Sequence, residues 1–177
     1  MLVIGATELE LVAVQGAETF CCGIGPVEAA VQTARRLAAR RPEAVLHVGI
    51  AGGNGLPSPS LVLGSESVYC DVIDATASFP RIERVLPDAA LLERVRAVLP
   101  EARVLPIATC AKVGGGSLCD VEAMEGFGVL RACALAGVPA VELRAISNDR
   151  SEPDRLKWAF DEAVALLAAA VARLHGG

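Results

Sequence analysis

Short apolar segments alternate with segments of helical periodicity along most of the chain, and this alternation restricts the possible folds more than any other feature. One clear unit is a strand candidate at residues 19–24, a glycine turn, and a helix candidate that begins at Pro26. Proline suits the first position of a helix. Apolar residues then recur at helical spacing at Val27, Ala30, Val31, Ala34 and Leu37.

The remaining segments repeat this pattern. Strand candidates lie at residues 1–5, 44–50, 61–69, 103–109 and 138–147, and residues 10–14 read as a continuation of the first strand past a polar turn. Helix candidates lie at residues 88–99, 120–136 and 153–174. Such alternation is typical of an α/β domain with a largely parallel sheet covered on both faces. We expect a single domain at residues 1–177.

Charge and hydropathy exclude several classes of partner. The net charge is −5 and the pI is about 5.1, whereas nucleic-acid and anionic-membrane binding depend on clustered Lys and Arg. No apolar run approaches the length of a membrane span, about 18 residues, and no basic segment precedes the first apolar one. We therefore predict no nucleic acid, no membrane anchor, no signal peptide and a cytoplasmic location.

The cysteines and glycine turns do not indicate a metal or a cofactor. The six cysteines contain no Cys-x-x-Cys pair, and only His47 and His175 could supplement them as ligands. We expect free thiols. The segment GIGPVEA lacks the third glycine of a dinucleotide fingerprint, and no Gly-Lys-Ser/Thr phosphate loop occurs. Metal and cofactor are therefore both predicted to be absent.

Charged residues cluster where predicted strands end. They are Glu8, Glu10, Glu122, Glu125, Glu142 and Arg144. Glu142 and Arg144 share one face of the last strand, because side chains alternate along a strand. Buried charges are costly unless paired or used, so the set indicates a polar pocket at the carboxyl ends of the strands. Taken singly, each could instead be a solvated charge or a structural ion pair.

Five segments, in chain order, carry a resemblance to a known family. GATELE, CGIGPVEAA, HVGIAGG, VEAMEGFG and LRAISN resemble the nucleosidase and nucleoside phosphorylase superfamily, in particular 5′-methylthioadenosine/S-adenosylhomocysteine nucleosidases and futalosine hydrolases. The resemblance implies a three-layer αβα sandwich with a mixed, largely parallel central sheet. It also implies a purine nucleoside substrate and a homo-oligomer, dimeric or higher.

The resemblance assigns three catalytic residues. Glu10 matches the glutamate that holds and deprotonates the attacking water, with Glu8 as the alternative. Arg144 matches an arginine near the water and the ribosyl group, where its charge is expected to keep Glu10 or Glu125 ionised. Asn148 takes the place of an aspartate that contacts the purine.

Substrate-binding residues follow from the same resemblance. Met124 and Glu125 match a Met-Glu pair whose glutamate accepts hydrogen bonds from the ribose hydroxyls. Ser147 precedes the base-contacting position, and Ala51 and Gly52 belong to a glycine loop beside the sugar. Two aromatic residues, Phe79 and Phe127, are candidates to stack on the purine, although a core role is favoured. Arg81, in the loop at residues 74–84, is a candidate to bind a carboxylate such as the benzoate of futalosine.

The asparagine at position 148 indicates the base. An asparagine amide offers NH₂ to N7 or O6 and a carbonyl to a ring N–H, which fits a 6-oxopurine such as hypoxanthine. We therefore favour a purine nucleoside N-ribosyl hydrolase of the futalosine type, which releases hypoxanthine in menaquinone biosynthesis. The alternatives are a methylthioadenosine-type nucleosidase, a purine nucleoside phosphorylase and a non-catalytic nucleoside-binding protein. Two carboxylates in ATELE would repel phosphate, so water is the predicted nucleophile.

Overall fold

The computed structural model describes residues 1–72 and 80–176. In this part of the chain the strands are β1 Leu2–Gly5, β2 Glu18–Cys21, β3 Val45–Gly53, β4 Ser60–Tyr69, β5 Arg84–Val85, β6 Arg103–Thr109, β7 Val121–Ala123 and β8 Ala140–Asp149. The helices are α1 Glu8–Leu11, α2 Pro26–Ala39, α3 Ala89–Val98, α4 Gly126–Ala136 and α5 Phe160–His175, and a 3₁₀ turn spans Arg155–Lys157.

The described strands join into one mixed sheet. Its order is β2-β1-β3-β7-β6-β4-β5, and β8 pairs with both β3 and β4. Among the described residues, five pairings are parallel and three are antiparallel. The predicted mixed, largely parallel sheet is therefore confirmed.

Helices cover both faces of this sheet, and the alternation of side chains along β1 shows how. Val3 joins an apolar cluster with residues of α1, α3 and α5, including Leu11, Leu91 and Leu167. Its neighbours Leu2 and Ile4 join a second cluster with α2 and α4, including Leu37 and Val129. Because successive strand residues point to opposite faces, one strand contributes to two cores. The predicted three-layer αβα arrangement is confirmed.

Three predicted elements differ from the observed ones. Residues 120–136 do not form one helix: Val121–Ala123 is strand β7, paired with both β3 and β6, and α4 begins only at Gly126. Residues 10–14 do not extend β1, because Thr7 caps a helical turn at Glu8–Leu11. The last helix begins at Phe160, after the 3₁₀ turn. In β7, sheet pairing outweighs local helical spacing.

Two further features concern the cysteines and the membrane. All six cysteines are free, as predicted. Within the described residues, none of the helices combines the length and apolar character required to span a membrane.

Leu167 of α5 offers a test of the core. It is fully buried in the first cluster, so Leu167→Ala should lower the free energy of unfolding by about 2–5 kcal/mol through lost burial and an internal cavity. Leu135 of α4 is 72% exposed, and Leu135→Ala should change it by less than about 0.5 kcal/mol. Urea denaturation measures both. Equal losses in the free energy of unfolding for the two variants would contradict the burial of Leu167.

Candidate active site

A cavity of about 410 Å³ opens at the carboxyl ends of β1, β3, β7 and β8. Seven of the residues predicted for the site line it: Glu10, Ala51, Gly52, Met124, Glu125, Ser147 and Asn148. Carboxyl ends of parallel strands are the usual ligand-binding edge of α/β sheets. The structure therefore brings together residues that lie as much as 138 positions apart in the chain, Glu10 and Asn148 being the two extremes.

Glu10 is held at the cavity by the turn that follows β1. Its Oε2 accepts hydrogen bonds from the backbone N–H groups of Ala6 and Thr7, at 3.1 and 3.0 Å, and from the Thr7 hydroxyl at 3.1 Å. Its Oε1 accepts one hydrogen bond, from the Ile50 N–H at 3.1 Å. Each carboxylate oxygen has about two lone pairs, so Oε1 retains capacity for another donor. Glu8 is exposed and does not line the cavity.

Arg144 is fully buried and reaches the cavity only through a wall residue. Its Nε donates to Glu142 Oε1 at 2.8 Å, and its Nη2 lies 3.6 Å from Glu125 Oε2. The Ser67 hydroxyl donates to the other oxygen of Glu142. A Cβ at Gly126 would overlap the Glu142 carboxylate, so glycine at this position makes room for the buried charge. Arg144 is therefore placed behind the site rather than in its wall.

His47 contacts the same guanidinium nitrogen, Nη2, that faces Glu125. Its Nδ1 lies 3.0 Å from the Ile4 carbonyl and its Nε2 lies 2.6 Å from Arg144 Nη2. A carbonyl only accepts, so Nδ1 carries the hydrogen and Nε2 accepts from Arg144. Burial, together with the charge of Arg144, lowers the pKa of His47 well below its usual value. A neutral imidazole therefore fixes the guanidinium.

Glu125 directly precedes α4 and is buried in the cavity wall. Its Oε1 accepts from the Gly25 N–H at 3.1 Å, and its Oε2 faces Arg144. Burial raises the pKa of Glu125, and the opposing influence of Arg144 and of the Gly25 hydrogen bond is smaller. Loss of hydration therefore shifts the pKa of Glu125 upward by more than the nearby cation shifts it downward.

Asn148 reaches the cavity because the register of β8 shifts opposite Ala51 and Gly52. Its Oδ1 accepts from the Ser147 hydroxyl at 2.7 Å, and its Nδ2 donates to the Asp149 carbonyl at 2.8 Å. These bonds fix the orientation of the amide. One amide hydrogen and one lone pair of Oδ1 remain for a ligand.

Several wall residues were missed by the sequence prediction. They are Ile24, Lys112, Arg150, Arg155, Trp158 and Phe160. Glu122, which was predicted as part of a polar pocket but given no role, also lines the wall. The Arg155 guanidinium lies 5.6 Å from the centre of the Trp158 ring, so cations and aromatic rings share part of the wall. One sequence feature could have indicated these wall residues: the single tryptophan of the chain, Trp158, lies ten residues after Asn148.

Phe127 and Arg81, two of the aromatic and arginine candidates, do not line the cavity. Phe127 stacks on Tyr69, with ring centres 5.1 Å apart, and packs against the second apolar cluster, as the favoured core role predicted. Phe79 lies outside the described residues. Arg81 forms an ion pair with Glu83 and does not line the cavity. Among the described residues, no group of three or more His, Cys, Asp or Glu side chains is placed to hold a metal ion.

Comparison with solved structures gives the class of fold. A futalosine hydrolase mutant of Helicobacter pylori superposes with a TM-score of 0.87, covering 98% of this chain and 96% of that one at 18% sequence identity. The chain thus has the αβα fold of this group. The profile of the phosphorylase superfamily matches residues 11–175. The chain belongs to the phosphorylase superfamily.

Two relatives are similar in sequence. A futalosine hydrolase of Streptomyces coelicolor is 35% identical over 188 aligned positions, which cover 90% of this chain and 78% of the relative. A 5′-methylthioadenosine/S-adenosylhomocysteine nucleosidase of Actinobacillus succinogenes is 32% identical over 152 positions, covering 71% and 65%. The two groups named in the resemblance, futalosine hydrolases and 5′-methylthioadenosine/S-adenosylhomocysteine nucleosidases, are therefore both among the similar proteins.

The raised pKa of Glu125 predicts a pH-dependent contribution to stability. Above the ordinary glutamate value of 4.5, the folded protein retains a proton that the unfolded chain has released. The stabilisation is complete below that value and is lost as pH rises through the folded-state pKa. Glutamine carries no such proton, so Glu125→Gln should gain stability relative to wild type as pH increases from about 4 to 8. Urea denaturation across this pH range measures the difference in the free energy of unfolding between the variant and wild type. A difference that does not change with pH would contradict the prediction.

Proposed function

We propose that this protein hydrolyses the N-glycosidic bond of futalosine and releases hypoxanthine. The relatives are N-glycosyl hydrolases, and the chain is an enzyme of this nucleosidase type. The observation that carries the finer proposal is the position of Glu10, Glu125 and Asn148 in the wall of one cavity. They supply a base, an acceptor for sugar hydroxyls and an amide for the purine.

Glu10 is the proposed general base. Cleavage of an N-glycosidic bond passes through a sugar with oxocarbenium character, which a carboxylate stabilises while it activates water. Oε2 of Glu10 is occupied by three donors from Ala6 and Thr7, whereas Oε1 has one. We therefore assign Oε1 to the attacking water.

Water is a better fit than phosphate as the nucleophile. The N–H groups of Ala6 and Thr7, which follow β1, are directed at the Glu10 carboxylate and are not left to bind an anion. Glu10 and Glu125 also place carboxyl groups in the same cavity, which disfavours a phosphate dianion. A phosphorylase is therefore the weaker alternative.

Glu125 is the proposed acceptor for the ribose hydroxyls, with Met124 beside it in the wall. Arg144 contacts Glu125 but is fully buried, so we assign it as a positioning residue rather than as a group that touches the sugar. Ala51 and Gly52 line the same cavity.

Asn148 is the basis for preferring hypoxanthine. Its free amide hydrogen can donate to N7 or O6 of a 6-oxopurine. The alternative is a 5′-methylthioadenosine/S-adenosylhomocysteine nucleosidase, which the Actinobacillus relative supports. A homo-oligomer and a cytoplasmic location remain predictions.

Replacement of Glu10 tests the mechanism, and the chain supplies a matched control two residues away. Glu10→Gln keeps the shape of the side chain but cannot take a proton, so kcat should fall by about 10²–10⁴-fold. Glu8 is exposed, and Glu8→Gln should retain wild-type kcat. Steady-state base release measures both, with thermal unfolding to show that each variant is folded. Full activity in Glu10→Gln would refute the assignment.

The substrate is tested by base release from futalosine, inosine and methylthioadenosine, each with and without phosphate, resolved by chromatography. We expect hypoxanthine from futalosine at a rate that phosphate does not change. Faster adenine release from methylthioadenosine would favour the alternative nucleosidase. An absolute requirement for phosphate would exclude the hydrolase, and absence of any turnover by folded protein would favour a non-catalytic binding protein.

A further inference from the structure

The side chain of Arg144 lies over the neighbouring strand β3. In the register of β3 and β8, Gly49 pairs with Arg144 and His47 pairs with Glu142. A Cβ at Gly49 would overlap Nη1 of Arg144, so the arginine side chain passes directly over this glycine. Its guanidinium therefore lies among side chains of the sheet, behind the cavity.

Two partners from the sheet make close contacts with this guanidinium. Nε donates to Glu142 Oε1 at 2.8 Å, and Nη2 donates to His47 Nε2 at 2.6 Å. Each partner is itself fixed, because the Ser67 hydroxyl donates to Glu142 and the Ile4 carbonyl accepts from His47 Nδ1. Glu142 and His47 are fully buried and do not line the cavity. Neither side chain can therefore contact a ligand bound there.

Glu125 lies farther from the same arginine. Its Oε2 is 3.6 Å from Arg144 Nη2, which is too long for a hydrogen bond. A close arginine–carboxylate pair is about 2.7–2.9 Å long and often bidentate, with one bond to each oxygen. Here Oε1 of Glu125 accepts one hydrogen bond, from the Gly25 N–H. Both oxygens of Glu125 therefore retain lone pairs for a ligand.

We propose that Glu142 and His47 are positioning residues that restrain Arg144, so that this arginine acts on Glu125 through space without occupying its hydrogen-bonding sites. This inference rests on the proposed function, which assigns the ribose hydroxyls to Glu125. Without the restraint, a buried cation and a buried carboxylate gain by closing to a hydrogen-bonded pair. With it, Oε2 of Glu125 stays free to accept from a sugar hydroxyl.

Glu142→Gln removes the charge of one restraint and keeps its shape. The glutamine carbonyl can still accept from Arg144 Nε, and its NH₂ can donate to the Ser67 hydroxyl. With its nearest counter-charge removed, Arg144 should move towards Glu125. The separation between Nη2 and Oε2 should fall from 3.6 Å to about 3 Å or less. A crystal structure of the ligand-free variant measures this separation, and an unchanged value overturns the proposal.

Recognition of the ribose gives a functional readout. Titration calorimetry compares inosine with 2′-deoxyinosine in Glu10→Gln, which lacks the proposed base, so that the bound nucleoside persists. The ratio of the two dissociation constants reports the hydrogen bond from the 2′-hydroxyl. Adding Glu142→Gln should reduce the preference for inosine by about tenfold. A preference that stays the same or increases overturns the role of Glu142.

A matched control removes a different paired carboxylate. Glu101 forms an ion pair with Arg173 and does not line the cavity. Adding Glu101→Gln to Glu10→Gln should leave the ratio of the two dissociation constants unchanged. Thermal unfolding shows whether each variant is folded.

Two variants of His47 cover the case in which Glu142→Gln does not fold. His47→Gln places an acceptor near the position of Nε2, whereas His47→Leu places none. In the Glu10→Gln background, the leucine variant should lose about tenfold of the preference for inosine, and the glutamine variant should retain it. A general loss of packing would weaken the binding of both nucleosides alike. Equal ratios in the two variants overturn the role of His47.

Failure of the proposed function gives a different pattern. The preference for inosine over 2′-deoxyinosine would still depend on Glu142 and His47, but futalosine would not be cleaved without phosphate. Cleavage of futalosine together with an unchanged ratio overturns only the positioning role of these two residues.

Discussion

The site depends on one buried cation. Arg144 is enclosed by Glu142, Glu125 and His47, and it has no access to water. Burial of a charge in this way costs more than its ion pairs return unless the geometry is well satisfied. Here the Glu142 carboxylate meets Nε of the guanidinium, and the neutral His47 imidazole and the Glu125 carboxyl group both meet Nη2. We infer that the network serves to orient Glu125 rather than to stabilise the fold.

Small residues in the surrounding elements make this network possible. A Cβ at Gly49 would overlap Arg144 and would lie 2.8 Å from Glu10 Oε1, and a Cβ at Gly126 would overlap Glu142. These glycines are therefore required by close approach and not by unusual backbone angles. The cavity and its supporting charges form one unit, in which the residues that face the ligand are positioned by residues that never contact it.

A polar pocket at the strand ends could be predicted from the sequence because strand ends are local features, whereas the individual site residues were assigned by the resemblance to the nucleosidase family. Glu10, Glu125 and Asn148 each follow an apolar segment, and the edge at which strands end is the usual binding edge. Glu122 was recognised as a charge, but it was placed in a helix, because its pairing partners in β3 and β6 lie far away in the chain. His47 was considered only as a metal ligand. Its contact partner Arg144 lies 97 residues away in the chain, and no local sequence pattern predicts such a contact.

The sequence by itself determined the α/β class, the positions of most elements and the chemical types available at the strand ends, since these follow from periodicity and from side-chain chemistry. Only the tertiary structure decided that Arg144 lies behind the cavity, that burial outweighs this arginine in setting the pKa of Glu125, and that His47 of β3 pairs with Glu142 of β8. The physical reason is that burial and hydrogen bonding depend on which distant segments pack together, and these set the energy of every charge in the site.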